Sequence, residues 1–224
     1  ARAERAGLSD VGDLAGLTGV ADVVVAVCPP HAAVELAAAV AGRGFAGVYV
    51  DANAVSPATS DRIQEVVGAA GARYVDGGIV GPPPLSTGTT RLYLAGPAAP
   101  DVAALFAGSV LEARVLPGRP GAASALKLAY AAWTKGSAAL LLTARRLAVA
   151  AGVDDALVAE WALSLPELET SWARADASAR AKGWRWSGEM QEIAAAMAAA
   201  GLPDGFHTAA ADVFARYPRP DGVG

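Results

Sequence analysis

Cysteine is almost missing from this chain: among its 224 residues only Cys28 is one. A single thiol rules out an internal disulfide framework and fits a reducing compartment, so a cytoplasmic protein is expected. Histidine is nearly as scarce. His31 and His207 lie far apart, no H-x-x-x-H or C-x-x-C spacing exists, and no metal site is expected. Charged residues make up 18%, below the usual quarter, and with a net charge of -4 there is no basic block, which argues against a nucleic-acid partner. No apolar run reaches the roughly 20 residues of a membrane span, and no secretory signal opens the chain, so no membrane partner is expected. A G-x-S-x-G elbow is lacking too, which disfavours a serine hydrolase. The one formal G-x-G-x-x-G, Gly42-Arg43-Gly44-Phe45-Ala46-Gly47, follows a helical pattern and precedes a strand. A dinucleotide fingerprint needs the reverse order, so this one reads as a turn.

What is present is a large apolar fraction, 54%, arranged in two different ways. Up to about residue 116, strands alternate with helices. Residues 22–28 form a β-branched run that reads as a strand buried on both faces. Strands are also expected at 47–51, 73–76, 91–95 and 113–116, with helices at 31–41, from Ser56-Pro57 (N-cap, then proline at the first helical position) to Gly68, and at 101–105. The stretch 77–84, rich in glycine and proline, is expected to be irregular. This alternation predicts a Rossmann-like, mainly parallel sheet with helices on its faces. From Gly121 on, no strand signal returns. Helices are expected at 121–151, 154–165, 167–181, 188–200 and 206–217, with Gly183 among the breaks. The division expected is an α/β part over 1–117 and an all-α part over 118–224. The charged helix-end pattern of residues 1–7 suggests a natural start further upstream, so that the first βαβ unit is expected to be absent from this chain. All five tryptophans lie in the helical half, as core or interface anchors.

The junction is Gly118-Arg119-Pro120-Gly121, followed six residues later by Lys127 in an otherwise apolar helix. At 100° per residue, Ser124, Tyr130, Ala131 and Thr134 fall within about 60° of Lys127, a narrow polar stripe of the kind that lines a cleft. The bland alternative is a lysine snorkelling out of a packed helix. In open α/β sheets ligands sit beyond the carboxyl ends of the strands. Here those ends are Cys28-Pro29-Pro30, Asp51-Ala52-Asn53-Ala54 and Gly77-Gly78 onward, all poor in bulky polar side chains.

With these residues in hand, the chain resembles the β-hydroxyacid dehydrogenase superfamily, which includes 3-hydroxyisobutyrate and 6-phosphogluconate dehydrogenases and, more distantly, imine reductases. Gly118-x-x-Gly121 with Lys127 is similar to that superfamily's glycine-lysine signature. Residues 74–81 stand at its substrate loop, and Cys28-Pro29-Pro30 and Asp51-Ala52-Asn53-Ala54 at its nicotinamide-side loops. Lys127 to Gly136 and Trp184 to Ile193 resemble a subgroup with a phosphogluconate-dehydrogenase-like C-terminal helical domain. There are departures: Val80 replaces the family's serine, Ala131 its asparagine, and Glu189-Met190 its later K-D pair.

The resemblance implies an NAD(P)-dependent oxidoreductase that moves a hydride between a nicotinamide and a small hydroxy-acid, carbonyl or imine substrate. Lys127 would be the general acid/base. Gly78, Val80, Gly81, Pro82, Tyr130 and Thr134 would bind substrate, and Cys28, Pro29, Pro30, Asn53, Ala54 and Glu189 would lie at the cofactor. NADP is placed ahead of NAD, with Arg2 and Arg5 either reaching a 2′-phosphate or serving as solvated helix charges. An all-round apolar helix also needs cover, so a homodimer through the helical half is expected. The alternative is a nucleotide-binding or scaffold homologue that has lost the reaction, motivated by the missing serine and asparagine.

Overall fold

The computed structural model describes residues 2–5 and 7–219, the side chains of residues 2 and 3 excepted. The chain divides into two compact units, Ala1–Lys127 and Leu128–Gly224.

The first unit holds a mainly parallel five-stranded sheet in the order β1-β2-β3-β4-β5: β1 Val23–Ala26, β2 Val48–Asp51, β3 Arg73–Val80, β4 Arg91–Ala95 and β5 Glu112–Val115. Only the β3–β4 pairing is antiparallel. Helices α1 (Arg2–Arg5), α2 (Leu14–Val20), α3 (Ala33–Ala41), α4 (Pro57–Ala69) and α5 (Ala99–Ala104) accompany it, with a 3-10 turn at Pro30–Ala32. Ser56 caps α4 by accepting from the Thr59 N–H, and Pro57 follows at the first helical position, where its missing N–H costs nothing. One face of the sheet packs Val24, Tyr49 and Tyr74 against Ala37, Val40, Ile63 and Val67 of α3 and α4. The other packs Val48, Val50, Val75, Leu92 and Leu94 against Val102 of α5. Gly42 to Gly47 is the turn between α3 and β2, as its order in the sequence requires.

Two expectations for this unit need correction. The strand at 22–28 is shorter: β1 spans Val23–Ala26 and is an edge strand among the described residues, where Val24 and Ala26 are packed and Val25 and Val27 are exposed. The stretch expected to be irregular, 77–84, is so only over its second half, 81–84. β3 runs on through Gly77-Gly78-Ile79-Val80, paired antiparallel with Leu94 to Arg91. Its glycines reflect crowding rather than a break in the strand. A Cβ at Gly77 would stand 2.9 Å from the Asp51 carbonyl oxygen, and one at Gly78 only 2.7 Å from that of Ala123.

The second unit is helical, with the rest of α6 (Ala122–Ala150), α7 (Asp154–Ser164), α8 (Leu168–Ala199) and α9 (Gly205–Ala215). Its core is Leu128, Ala131, Leu142, Trp186, Met190, Ile193, Phe214 and Tyr217, with Trp186 and Phe214 edge to face at 5.0 Å. Here too the structure corrects the sequence. The two helices expected at 167–181 and 188–200 are one 32-residue helix. Gly183 does not end it; the glycine makes room for Tyr217, whose Cγ would lie 3.2 Å from an added Cβ.

Candidate functional site

The carboxyl ends of β1, β2 and β3 carry the residues singled out from the sequence, and main-chain groups organise them. At β3, Asp76 is fully buried and caps the amino end of α6. Its Oδ2 accepts from the N–H groups of Gly121 (2.8 Å), Ala123 (2.7 Å) and Ser124 (3.1 Å), and its Oδ1 from the Ser124 hydroxyl (2.5 Å). A helix start leaves its first N–H groups without intrahelical partners, and a carboxylate there also meets the positive end of the dipole. This bond set explains why glycine stands at 121, where φ is +98° and the chain must turn its N–H inward. It also explains why Ser124, on the polar stripe, is buried and not in a cleft.

With α6 fixed so, Lys127 follows one turn later. Its Nζ donates to the Ile79 carbonyl at 2.6 Å, while its Cβ would lie 3.1 Å from a Cβ added at Gly78. Gly78 is thus buried beneath the lysine stem, which places the amine at the carboxyl end of β3. Val80 is buried, at 3% exposure, and Gly81 and Pro82 begin an exposed segment whose base is tied by the Thr90 hydroxyl donating to the Pro82 carbonyl at 2.5 Å.

At the ends of β1 and β2, Asn53 Oδ1 accepts the Cys28 N–H at 2.5 Å and Asn53 Nδ2 donates to Asp51 Oδ1. Cys28 and Asn53 are thereby brought together, with Pro29, Pro30 and Ala54 beside them. Asp51 is fully buried, and its Oδ2 has no hydrogen-bond partner. Burial pushes its carboxyl up to about 7; the hydrogen bonds from Asn53 pull it down, and the Asp76 charge pushes it further up. Burial and the Asp51 charge also raise the Cys28 thiol, so it is not an activated thiolate.

The remaining site residues of the sequence reading lie in the helical unit. Tyr130 and Thr134 are exposed on α6, where the Thr134 hydroxyl donates back to the Tyr130 carbonyl at 3.1 Å. Glu189 sits within α8, not in a first turn, and its carboxylate accepts from the largely buried Lys135. Of the arginines considered for a 2′-phosphate, Arg5 is exposed on α1, and the Arg2 side chain lies outside the described residues. Among the described residues no group of three or more His, Cys, Asp or Glu is placed to hold a metal, and no helix is long and apolar enough to cross a membrane. Sequence reasoning missed the role of Asp76; the only signal was an aspartate ending a strand register beside paired glycines.

Comparison with known proteins places this geometry in context. Residues 148–217 match a family described as a domain of unknown function, DUF1932. No curated protein matches the sequence. Among solved structures, a conserved hypothetical protein from Sinorhizobium meliloti 1021 is similar over 100% of this chain and 76% of its own, at 25% identity and a TM-score of 0.68. The 3-hydroxyisobutyrate dehydrogenase of Mycobacterium tuberculosis, solved with L-serine, is 16% identical with a TM-score of 0.62, covering 92% of this chain and 77% of that one. A reductive aminase from Aspergillus terreus in complex with NADPH and ethyl levulinate is 20% identical with a TM-score of 0.57, covering 95% and 79%. The chain thus has the β-hydroxyacid dehydrogenase-like fold, and the resemblance carried by its motifs holds at that level.

Proposed function

We propose that the chain is the greater part of an NAD(P)-dependent oxidoreductase acting on a small carbonyl, imine or hydroxy-acid substrate, with Lys127 as general acid/base. The observation that carries this is the Lys127 amine, anchored on the Ile79 carbonyl at the same end of the sheet as the loops joined by Asn53. Those loops suit a flat nicotinamide, since prolines, alanine and a buried amide leave backbone and space at the strand ends. When bound, the nicotinamide supplies or accepts the hydride. Lys127 holds the substrate oxygen or nitrogen by hydrogen bond and gives it a proton as negative charge develops there. Gly81 and Pro82 would border the substrate, Tyr130 and Thr134 would contact it from the same helix, and Gly78 and Val80 would shape the strand beneath it. Glu189 is not carried into the proposal, because Lys135 takes its carboxylate. NADP is preferred to NAD in view of the NADPH complex of the reductive aminase.

In this reading residues 1–117 serve the cofactor, residues 118–224 serve the substrate and a homodimer contact, and the enzyme is cytoplasmic. The dimer is supported by a groove in the helical unit lined by Trp133, Leu140, Phe206 and Val213, with Trp133 at 75% and Phe206 at 78% exposure. A monomer by light scattering at tens of micromolar would overturn it.

The test of the catalytic role is Lys127→Ala in the full-length protein, assayed with NADPH and a panel of ketones, imines and hydroxy acids. Turnover is expected to fall about 10²- to 10⁴-fold while NADPH affinity is kept; near-normal turnover would remove Lys127 from the mechanism. A second reading is favoured by Val80 and Ala131, both buried and apolar where the resemblance calls for serine and asparagine. It is a homologue that binds nucleotide without turnover, and it predicts tight NADPH binding with no activity on the whole panel.

A further inference from the structure

The loop Cys28-Pro29-Pro30, whose cysteine packs against the core, offers the rest of the fold few main-chain donors. Proline has no N–H, so the Cys28 amide is the only main-chain donor among the three. That donor goes to the Asn53 side chain. An amide side chain has one accepting and one donating end, and its partners decide which way it points. With Oδ1 on the Cys28 N–H, the Nδ2 end needs an acceptor, and Asp51 Oδ1 provides it.

Asp51 is otherwise an expensive residue. It is buried with Oδ2 unpartnered, and it stands in register beside Asp76 on the neighbouring parallel strand. Like charges side by side on one sheet face repel. Asp76 is compensated by the amino end of α6, whereas Asp51 has Asn53. The titratable groups facing Asp51 are Tyr49 on its own strand, Tyr74 and Asp76 on β3, and Cys28 after β1. None of these is a donor to Asp51 within hydrogen-bond distance, so Asn53, through its side-chain amide and its main-chain N–H, is what this carboxylate holds.

We propose that Asp51 and Asn53 are a pair of positioning residues: Asp51 fixes the orientation of the Asn53 amide, and Asn53 sets where Cys28-Pro29-Pro30 lies against the nicotinamide, neither of them touching the cofactor. This rests on the nicotinamide reading above, and it deepens that reading by moving Asn53 from a contact to a support.

The experiment uses the full-length protein, with NADPH fluorescence as one readout and amide exchange of Cys28 as the other. In Asn53→Asp the end facing Cys28 is unchanged, but two carboxylates now meet at Asp51. NADPH affinity is expected to drop about tenfold at pH 8, with faster Cys28 exchange, and to recover at pH 6, where one shared proton restores a donor. The exchange of roles in Asp51→Asn with Asn53→Asp restores a donor at one position and an acceptor at the other. That double variant is expected to match the wild type at both pH values. An Asn53→Asp protein that behaves as wild type at pH 8 overturns the proposal. So does one that stays weak at pH 6 and is not rescued by the double variant, which is the outcome for a residue with a purely structural role. If the wild type binds no NADPH, the nicotinamide reading fails on its own. The pair is then judged by exchange: fast Cys28 exchange at pH 8 that the double variant reverses supports it, and unchanged exchange overturns it.

Discussion

The two compact units hold several of their polar side chains in different ways. In the α/β unit Asp76, Lys127 and Asn53 rely mainly on main-chain groups, although Asn53 also pairs with Asp51 and Ser60 with Tyr74. Asp76 takes the N–H groups of Gly121, Ala123 and Ser124, Lys127 takes the Ile79 carbonyl, and Asn53 takes the Cys28 N–H. In the helical unit the partners are other side chains. Lys135 pairs with Glu189, Arg145 with Asp154 at 3.0 Å, and the Arg146 guanidinium donates to the Tyr217 hydroxyl at 2.6 Å. A main-chain partner cannot be mutated away, so at Asp76 and Lys127 one side chain carries the whole cost of a change. In the second unit both partners can be exchanged together. The difference follows from the elements. Strand ends and helix starts expose main-chain polar groups, whereas helix interiors consume theirs.

The largest expected effect tests this directly. Asp76→Ala strands three buried N–H groups at the start of α6 and is expected to cost about 4 kcal/mol or to prevent folding. A urea midpoint within about 1 kcal/mol of the wild type would show that α6 caps itself some other way. Next comes the side-chain case. Lys135→Met alone leaves Glu189 buried and unpaired and is expected to cost about 3 kcal/mol, whereas Lys135→Met with Glu189→Leu is expected to recover most of it. Burial already lowers the Lys135 pKa against the raising effect of Glu189, as expected of a cation held by its partner and not by water. If the double substitution is as damaging as the single one, the contrast between the units fails.

A third effect belongs to the α/β unit. The Asp51 carboxyl is at about 7 in the fold against 3.8 for an ordinary aspartate. Between those values the folded chain keeps a proton that the unfolded chain has released. Stability attributable to Asp51 therefore falls as pH rises from about 4 to about 7, with a slope approaching 1.4 kcal/mol per pH unit, and is flat outside that window. Urea unfolding at pH 5 and 7 is expected to show a slope in the wild type that Asp51→Asn lacks. The smallest effect is in the helical unit. Gly183→Ala gains about 1 kcal/mol of helix propensity and loses a similar amount by pressing on Tyr217. With Tyr217→Ala already present, the same substitution is expected to be stabilising by thermal melt.

The same contrast explains what the sequence disclosed. Elements whose signals are local were legible: the valine run of β1, the Ser56-Pro57 start of α4, and the length of α6. The position of Lys127, and of Cys28 with Asn53, at strand ends was legible because a motif and a strand end coincide there. Legibility failed where a residue's reason lay far along the chain. Asp76 acts on Gly121, 45 residues later, and Gly78 is small because Ala123 presses on it. Gly183 carried a helix-breaking signal, yet its cause is Tyr217 on the far side of α9's end. Asn53 is expected at the cofactor from the resemblance of its loop, which says nothing of its side-chain partners in the fold, Cys28 and Asp51.

The reversal of direction between β3 and β4 has a consequence for how such a protein changes over time. Because β4 runs back, residues 81–88 form an exposed hairpin at the same end as the loops after β1 and β2, closed at its base by the Thr90 hydroxyl on the Pro82 carbonyl. Insertions or deletions in that arm leave strand register and both core clusters untouched. Mutation can therefore trial new lengths and compositions beside the lysine at little risk to folding.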